Sequence, residues 1–168
     1  MISARDGSPL TARTEWGDRI FAFDFREISV GIAEYEDGEV ATGCTVFKFP
    51  RALPAVADVR GGAAAAIGTW PWANAVCFAG GSLLGLEAVG GVHAQLHEEQ
   101  QPSERQARLV SGAIIWDRWS ASVYPDHTLG RAAAAATRPG LFPLGRRGVG
   151  RTAGCGGVIE RSRAEWSG

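Results

Sequence analysis

Apolar and polar residues alternate from Ile28 to Ala33, with Ile28, Val30 and Ile32 set against Ser29, Gly31 and Ala33, which predicts a strand. Glu36-Asp37-Gly38 marks a turn. A second alternation from Gly43 to Phe49 puts Thr45, Phe47 and Phe49 on one face and Cys44, Val46 and Lys48 on the other, and Pro50 is expected to end it. Two such runs joined by a turn predict a β-hairpin with a longer loop. Ala55 to Val59 predicts a short strand closed by Arg60-Gly61-Gly62. Ala75 to Ala79 is continuously apolar, the pattern of a strand buried on both faces.

After Gly80-Gly81-Ser82 the period changes. From Leu83 to Glu99, Val89, Val92 and Leu96 recur at helical spacing, Gly85 completes the stripe, and Ser82 is the expected N-cap. Gly85, Gly90 and Gly91 each weaken a helix by roughly 1 kcal/mol relative to alanine. That cost points to close packing of the helix onto a sheet. Gln100 to Arg108 is polar, contains Pro102 and predicts a loop, and Ala113 to Trp116 predicts another strand. Asp126 can cap a second helix through Leu129 to Ala136, which Pro139-Gly140 stops. Pro143 to Gly157 is a glycine-rich loop, and Val158 to Trp166 alternates weakly, as a last strand or as the start of an unfinished element. Residues 1–22, broken by Gly7, Pro9 and Gly17, are expected to form a mobile arm, and residues 23–168 one mixed α/β domain.

Composition narrows the function classes. A net charge of −1 and scattered basic residues argue against nucleic acid and against an anionic membrane. The first twenty residues lack the apolar stretch of a secretory signal, and no run is long enough to span a bilayer. Cys44, Cys77 and Cys155 form no CxxC pair, which fits reduced thiols in the cytoplasm. Cys77, inside an apolar run, is expected in the core.

Candidate motifs are weak when taken singly. Gly80 to Gly85 has phosphate-loop spacing, but Leu86 and Glu87 follow where lysine and a hydroxyl are needed, so nucleotide binding is rejected. Gly148-Val149-Gly150-Arg151-Thr152-Ala153 fits a loose dinucleotide fingerprint but follows a loop instead of a strand. No GxSxG elbow occurs. His93 and His97 are four apart on the first helix but lack an HExxH context, so surface histidines are the better reading and no metal is expected. Trp70-Pro71-Trp72, and Trp116 with Trp119, are pocket candidates, though tryptophan more often serves a core or interface. Asp117 follows a strand end, where α/β sites form and where aspartate also makes turns; Asn74 and His127 carry no signal beyond structure.

Taken in order, the segments Ser29-Val30-Gly31-Ile32-Ala33, Gly43-Cys44-Thr45-Val46, Ala57-Asp58-Val59-Arg60-Gly61-Gly62-Ala63 and Phe78-Ala79-Gly80-Gly81-Ser82-Leu83-Leu84-Gly85-Leu86-Glu87-Ala88 form a recognisable set. It continues with Ala113-Ile114-Ile115-Trp116-Asp117, with Tyr124-Pro125-Asp126-His127-Thr128-Leu129-Gly130-Arg131-Ala132, and with Gly148-Val149-Gly150-Arg151-Thr152-Ala153-Gly154. This set resembles the DmpA-type L-aminopeptidase/D-esterase family, and within it the nylon-oligomer (6-aminohexanoate-oligomer) endohydrolases. The resemblance implies a four-layer αββα sandwich of which this chain holds the N-terminal, α-subunit portion. It implies a self-cleaving amidohydrolase or aminopeptidase for small peptides or amide oligomers, working without a cofactor. Its partners would be the amide substrate, the C-terminal remainder or β-subunit of the same precursor, and further copies in a homo-oligomer.

In that family the freed N-terminal Ser or Thr is the nucleophile and its own amine the base. The family's cleavage site lies downstream of the glycine-rich loop, so the resemblance places the nucleophile beyond Gly168 and no catalytic residue within the chain. The expected substrate-binding residues are Gly80, Gly81, Ser82, Trp116 and Asp117. Two positions depart from the pattern: Gly157 stands where the family has a lysine, and Trp116 where the nylon-oligomer enzymes have a pocket tyrosine. A degenerate relative kept as a binding or assembly module, and an acyltransferase of the ornithine acetyltransferase type, are the alternative readings.

Overall fold

The computed structural model describes residues 3–4, 7–38, 40–60, 65–101, 106–117 and 123–153. Strand β1 (Ile20–Ala22) precedes the central hairpin of β2 (Ser29–Asp37) and β3 (Val40–Pro54). The hairpin is antiparallel and in register from Ser29↔Lys48 to Asp37↔Val40, so two residues connect its strands instead of the longer loop expected, because pairing continues past the alternating runs to the turn. Strands β4 (Ala66–Ile67) and β5 (Trp72–Ala79) lead through a short 3-10 helix, Ser82–Leu86, into helix α1 (Glu87–Glu98). Strand β6 (Val110–Ile114), helix α2 (His127–Ala135), β7 (Arg138–Pro139) and β8 (Leu141–Pro143) follow, and a 3-10 turn at Gly148–Arg151 closes the described chain. Six strands form one sheet in the order β4-β6-β5-β3-β2-β7, and β1 pairs with β8. The pair β5–β6 is parallel, the geometry that a helical crossover such as α1 permits.

Strand periodicity sorts side chains to two faces. On one, Ala33, Tyr35, Cys44, Val46, Ala75, Cys77 and Val110 meet Val89, Val92 and Leu96 of α1 and Leu129 and Ala133 of α2. Burying each of the larger aliphatic side chains contributes about 1.5–3 kcal/mol. On the other face Val30 and Ile32 pack with Trp16, Phe23, Phe47 and Phe142. That cover is partial, leaving Phe78 at 40% and Phe21 at 55% exposure. One sheet with a helix layer on one side and a thin cover on the other is what the described residues show.

Several expectations need correction. Pro50 does not end β3; the strand runs to Pro54, and the pairing with β5 jumps from Lys48↔Ala75 to Leu53↔Ala73. Four residues of β3 therefore face one of β5, and a proline that cannot donate to the ladder sits inside this bulge. Residues 55–60 form no strand, and Val56 is almost fully exposed. On β5 the helix-facing Ala75, Cys77 and Ala79 are buried, but Phe78 on the opposite side is exposed, with no second helix layer over it among the described residues. Strand β6 ends at Ile114, short of Trp116.

Glycines serve both helix-to-sheet and helix-to-helix contact: a Cβ on Gly31 of β2 would strike the carbonyl of Ala133, and one on Gly112 of β6 the side chain of Val89. A Cβ on Gly91 would strike the carbonyl of His127, and one on Gly130 would strike the carbonyl of Ala88. The two helices thus touch backbone to backbone, which accounts for glycine inside α1. Asp126 caps α2 as expected, accepting from Leu129 N at 2.9 Å.

The segment before β1 is seated on the domain at two places. Arg13 and Glu34 exchange backbone hydrogen bonds of 2.9 and 2.8 Å, and Trp16 is buried with Arg138 stacked over its ring. The expected last strand, Cys155 and Gly157 lie outside the described residues.

Candidate functional site

Parallel strands β5 and β6 end side by side, so the loops that leave them share one edge of the sheet, where open α/β sheets place their ligands. Ile115 N extends the pairing to Ala79 O at 2.9 Å, and Asp117 follows two residues later with only 6% exposure. This brings together four of the five expected residues. Asp117 Oδ1 accepts from Ser82 N at 3.0 Å and from Ser82 Oγ at 3.4 Å. A Cβ on Gly80 would lie 2.8 Å from Asp117 Oδ2, so the carboxylate rests against bare backbone there. Gly81, at φ 77°, packs under Tyr124 and Pro125, where a Cβ would come within 2.6 and 2.7 Å. Trp116, the fifth, is 65% exposed, and so are Leu83 and Leu84 of the 3-10 helix, at 61% and 55%.

Ser82 does not cap α1. It sits inside the 3-10 helix at φ 53°; Gly81 is the cap of that short helix and Leu86 the cap of α1, neither with a side-chain bond. A non-glycine residue in this region carries roughly 1–2 kcal/mol of strain. The bonds from Ser82 to Asp117 hold it there.

Sequence reasoning missed three polar groups at this edge. Thr152 Oγ1 donates to Asp117 Oδ2, tying the glycine-rich segment to the same carboxylate. Thr42 Oγ1 is buried without a hydrogen-bond partner, and lies 3.1 Å from the place a Gly80 Cβ would take. Glu34 is 2% exposed on β2; its Oε1 accepts from Gly148 N at 2.7 Å and its Oε2 pairs with Arg147 at 3.3 Å. Val149 N donates to Thr45 Oγ1 at 3.1 Å. The signal for Glu34 was an acid in the middle of an otherwise apolar strand, and for Thr152 its place within the Gly148 to Gly154 segment.

Two phenols stand near the helix layer. Tyr35 OH donates to Asp126 Oδ1 at 3.0 Å, and burial, reinforced by that carboxylate, holds the phenol well above its ordinary value. Burial and Glu87 push Tyr124 up as well. The neighbouring Cys77 thiol and full burial also raise Cys44, whose Sγ donates to Leu129 O at 3.7 Å. These groups are neutral and structural at neutral pH.

The other candidates fall elsewhere. His93 and His97 lie on the exposed face of α1, and no group of three His, Cys, Asp or Glu able to hold a metal occurs among the described residues. His127 is exposed at the start of α2; Asn74, Trp70 and Trp72 belong to the far end of β5. Trp119 lies outside the described residues. No described helix is long and apolar enough to cross a membrane.

In sequence, the chain is similar to proteins named 6-aminohexanoate-oligomer endohydrolase. The chain is 42% identical over 156 residues to the 6-aminohexanoate-oligomer endohydrolase of Agromyces sp. (strain KY5R), covering 90% of this chain and 43% of that protein. It is 43% identical over 156 residues to the enzyme of the same name from Kocuria sp. (strain KY2), with the same coverage. A third relative, the putative NylC-analogous protein of Agromyces sp. (strain KY5R), is 43% identical over 150 residues, covering 87% of this chain and 48% of that protein. The chain thus spans less than half the length of the curated relatives it matches. No family model matches it.

Proposed function

We propose that this chain is the N-terminal portion of an amide-oligomer hydrolase that works together with a segment equivalent to the rest of its relatives. The observation that carries this reading is the 42% identity to 6-aminohexanoate-oligomer endohydrolases along 90% of the chain. In this reading the second segment brings a Ser or Thr nucleophile freed by self-cleavage, with its own amine as base. The chain described here contributes the Gly80–Ser82 turn and Asp117 as a rigid wall, and Trp116 as an apolar surface for the polymethylene part of the substrate. The half-covered sheet face around Phe78 and Phe21 supports a second sheet packing there, completing a four-layer sandwich, and further copies would assemble as a homo-oligomer.

The test is reconstitution. The purified chain alone, and mixed with the remaining segment of a relative expressed separately, would be incubated with linear 6-aminohexanoate oligomers and the products separated by chromatography. Shorter oligomers are expected only from the mixture. Association of the two segments without turnover would favour the non-catalytic reading, which Trp116, in place of the pocket tyrosine, supports.

A further inference from the structure

The segment before β1 crosses the outer edge of β2 from one face of the sheet to the other. Strand β7 covers that edge only at Ser29 and Val30. Farther along, Arg13 pairs with Glu34 in an antiparallel bridge. Leu10 and Ala12 pack against the helix-side core, whereas Trp16 packs in the other cluster, with Val30 and Ile32. Side chains at the crossing close a ring. Arg147 pairs with Glu34 at 3.3 Å, Arg151 with Glu34 at 3.9 Å and with Glu36, and Glu36 with Arg13. Arg147 also donates to the Glu15 carbonyl, so both ends of this chain of contacts rest on the crossing segment. Glu34 is buried, and a buried carboxylate depends on such partners. Its other oxygen holds Gly148 N, and the turn that begins there leads to Thr152, which donates to Asp117.

We propose that residues 10–16 are a detachable clasp that sets how firmly the Asp117 edge is held. Docked, the segment completes the ring, the ring fixes the 3-10 turn at Gly148–Arg151, and the turn seats Thr152 on Asp117. Released, Arg147 loses the Glu15 carbonyl and Glu36 loses Arg13, so the turn loosens and takes Thr152 with it. Two features make the clasp weaker than a buried tryptophan alone would be. Trp16 Nε1 is buried without a hydrogen-bond partner among the described residues, so release returns that N–H to water. The Arg13 side chain is 56% exposed, where an ion pair adds little. Gly17, at φ 74°, supplies a pivot between the clasp and β1. The device acts on the geometry of the edge and is independent of the amide-hydrolysis reading.

Amide hydrogen exchange of the whole 168-residue chain tests it, with the parent set against Arg13→Pro, which removes both the N–H that Glu34 O accepts and the cation beside Glu36. Exchange is expected to quicken about tenfold at Gly148 and Val149, and at Ser82, whose amide Asp117 holds, while Val92 and Leu96 of α1 stay as in the parent. Coupling of this kind is reciprocal. Thr152→Val, which removes the hydroxyl bonded to Asp117, is therefore expected to quicken the Arg13 and Glu34 amides about fivefold. Unchanged exchange at Ser82 in Arg13→Pro would overturn the proposal. So would acceleration that reaches Val92 and Leu96 equally, the mark of a general loss of stability, or Arg13 and Glu34 amides that do not respond to Thr152→Val. If Arg13→Pro does not fold, Thr152→Val alone decides.

Discussion

Ser82 and Asp117 are joined twice, through the backbone N–H at 3.0 Å and the hydroxyl at 3.4 Å, and that pair fixes the turn between β5 and α1. Asp117→Ala removes the acceptor for Ser82 and for Thr152 together. A loss of about 1–3 kcal/mol is expected in urea unfolding, since buried donors are left unmet. Ser82→Gly relieves the positive φ and is expected to change stability by less than about 1 kcal/mol. If Ser82→Gly cost as much as Asp117→Ala, the hydroxyl would be the stronger of the two anchors.

The contact of α1 with α2 predicts opposite results at adjacent glycines. Gly91→Ala places a methyl against the His127 carbonyl and is expected to cost about 2–4 kcal/mol. Gly90→Ala meets nothing closer than His127 Cδ2 at 4.0 Å and is expected to stabilise by about 0.5–1 kcal/mol through helix propensity. Thermal melts of the two variants, side by side, check this.

Glu34 anchors the last described turn. Glu34→Ala leaves Arg147 without its 3.3 Å partner and Gly148 N without an acceptor, and a cost of about 3–5 kcal/mol is expected. Glu34→Gln keeps an oxygen for Gly148 N. Hydrogen exchange at the Gly148 amide should quicken in the alanine variant and change little in the glutamine one.

Alkaline pH should destabilise the fold. Cys44 and Tyr35 both have raised values in the folded chain, so the neutral form of each is the one the fold favours. Their contribution is fully present below the unfolded values, near 9 for the thiol and 10 for the phenol, and falls away as pH rises above them. Melting temperatures from pH 8 to 11 should decline, and Tyr35→Phe should flatten the upper part of that decline. A flat profile for the parent chain would contradict the assignment.

Much of this was legible in the sequence because it rests on local period. The β2–β3 hairpin, the Val89–Val92–Leu96 stripe and the Asp126 cap each follow from residues a few positions apart. The Pro50 bulge was not, because a proline ends a strand or bends it according to what lies across the ladder. The exposed side of β5 was missed for a related reason: an apolar run reports what a strand can bury, not how many layers are present to bury it. Gly80, Gly81, Ser82 and Asp117 were singled out together, but Thr152 and Glu34 reach the edge only through long-range pairing, which spacing does not encode.

Tyr35 and Asp126 come from elements ninety-one residues apart in sequence, and their 3.0 Å bond passes from the sheet to the residue that starts α2. The same carboxylate oxygen that satisfies the phenol also holds the first turn of the helix. Neither layer can loosen at this point without releasing the other, so sheet and helices should melt as one cooperative unit.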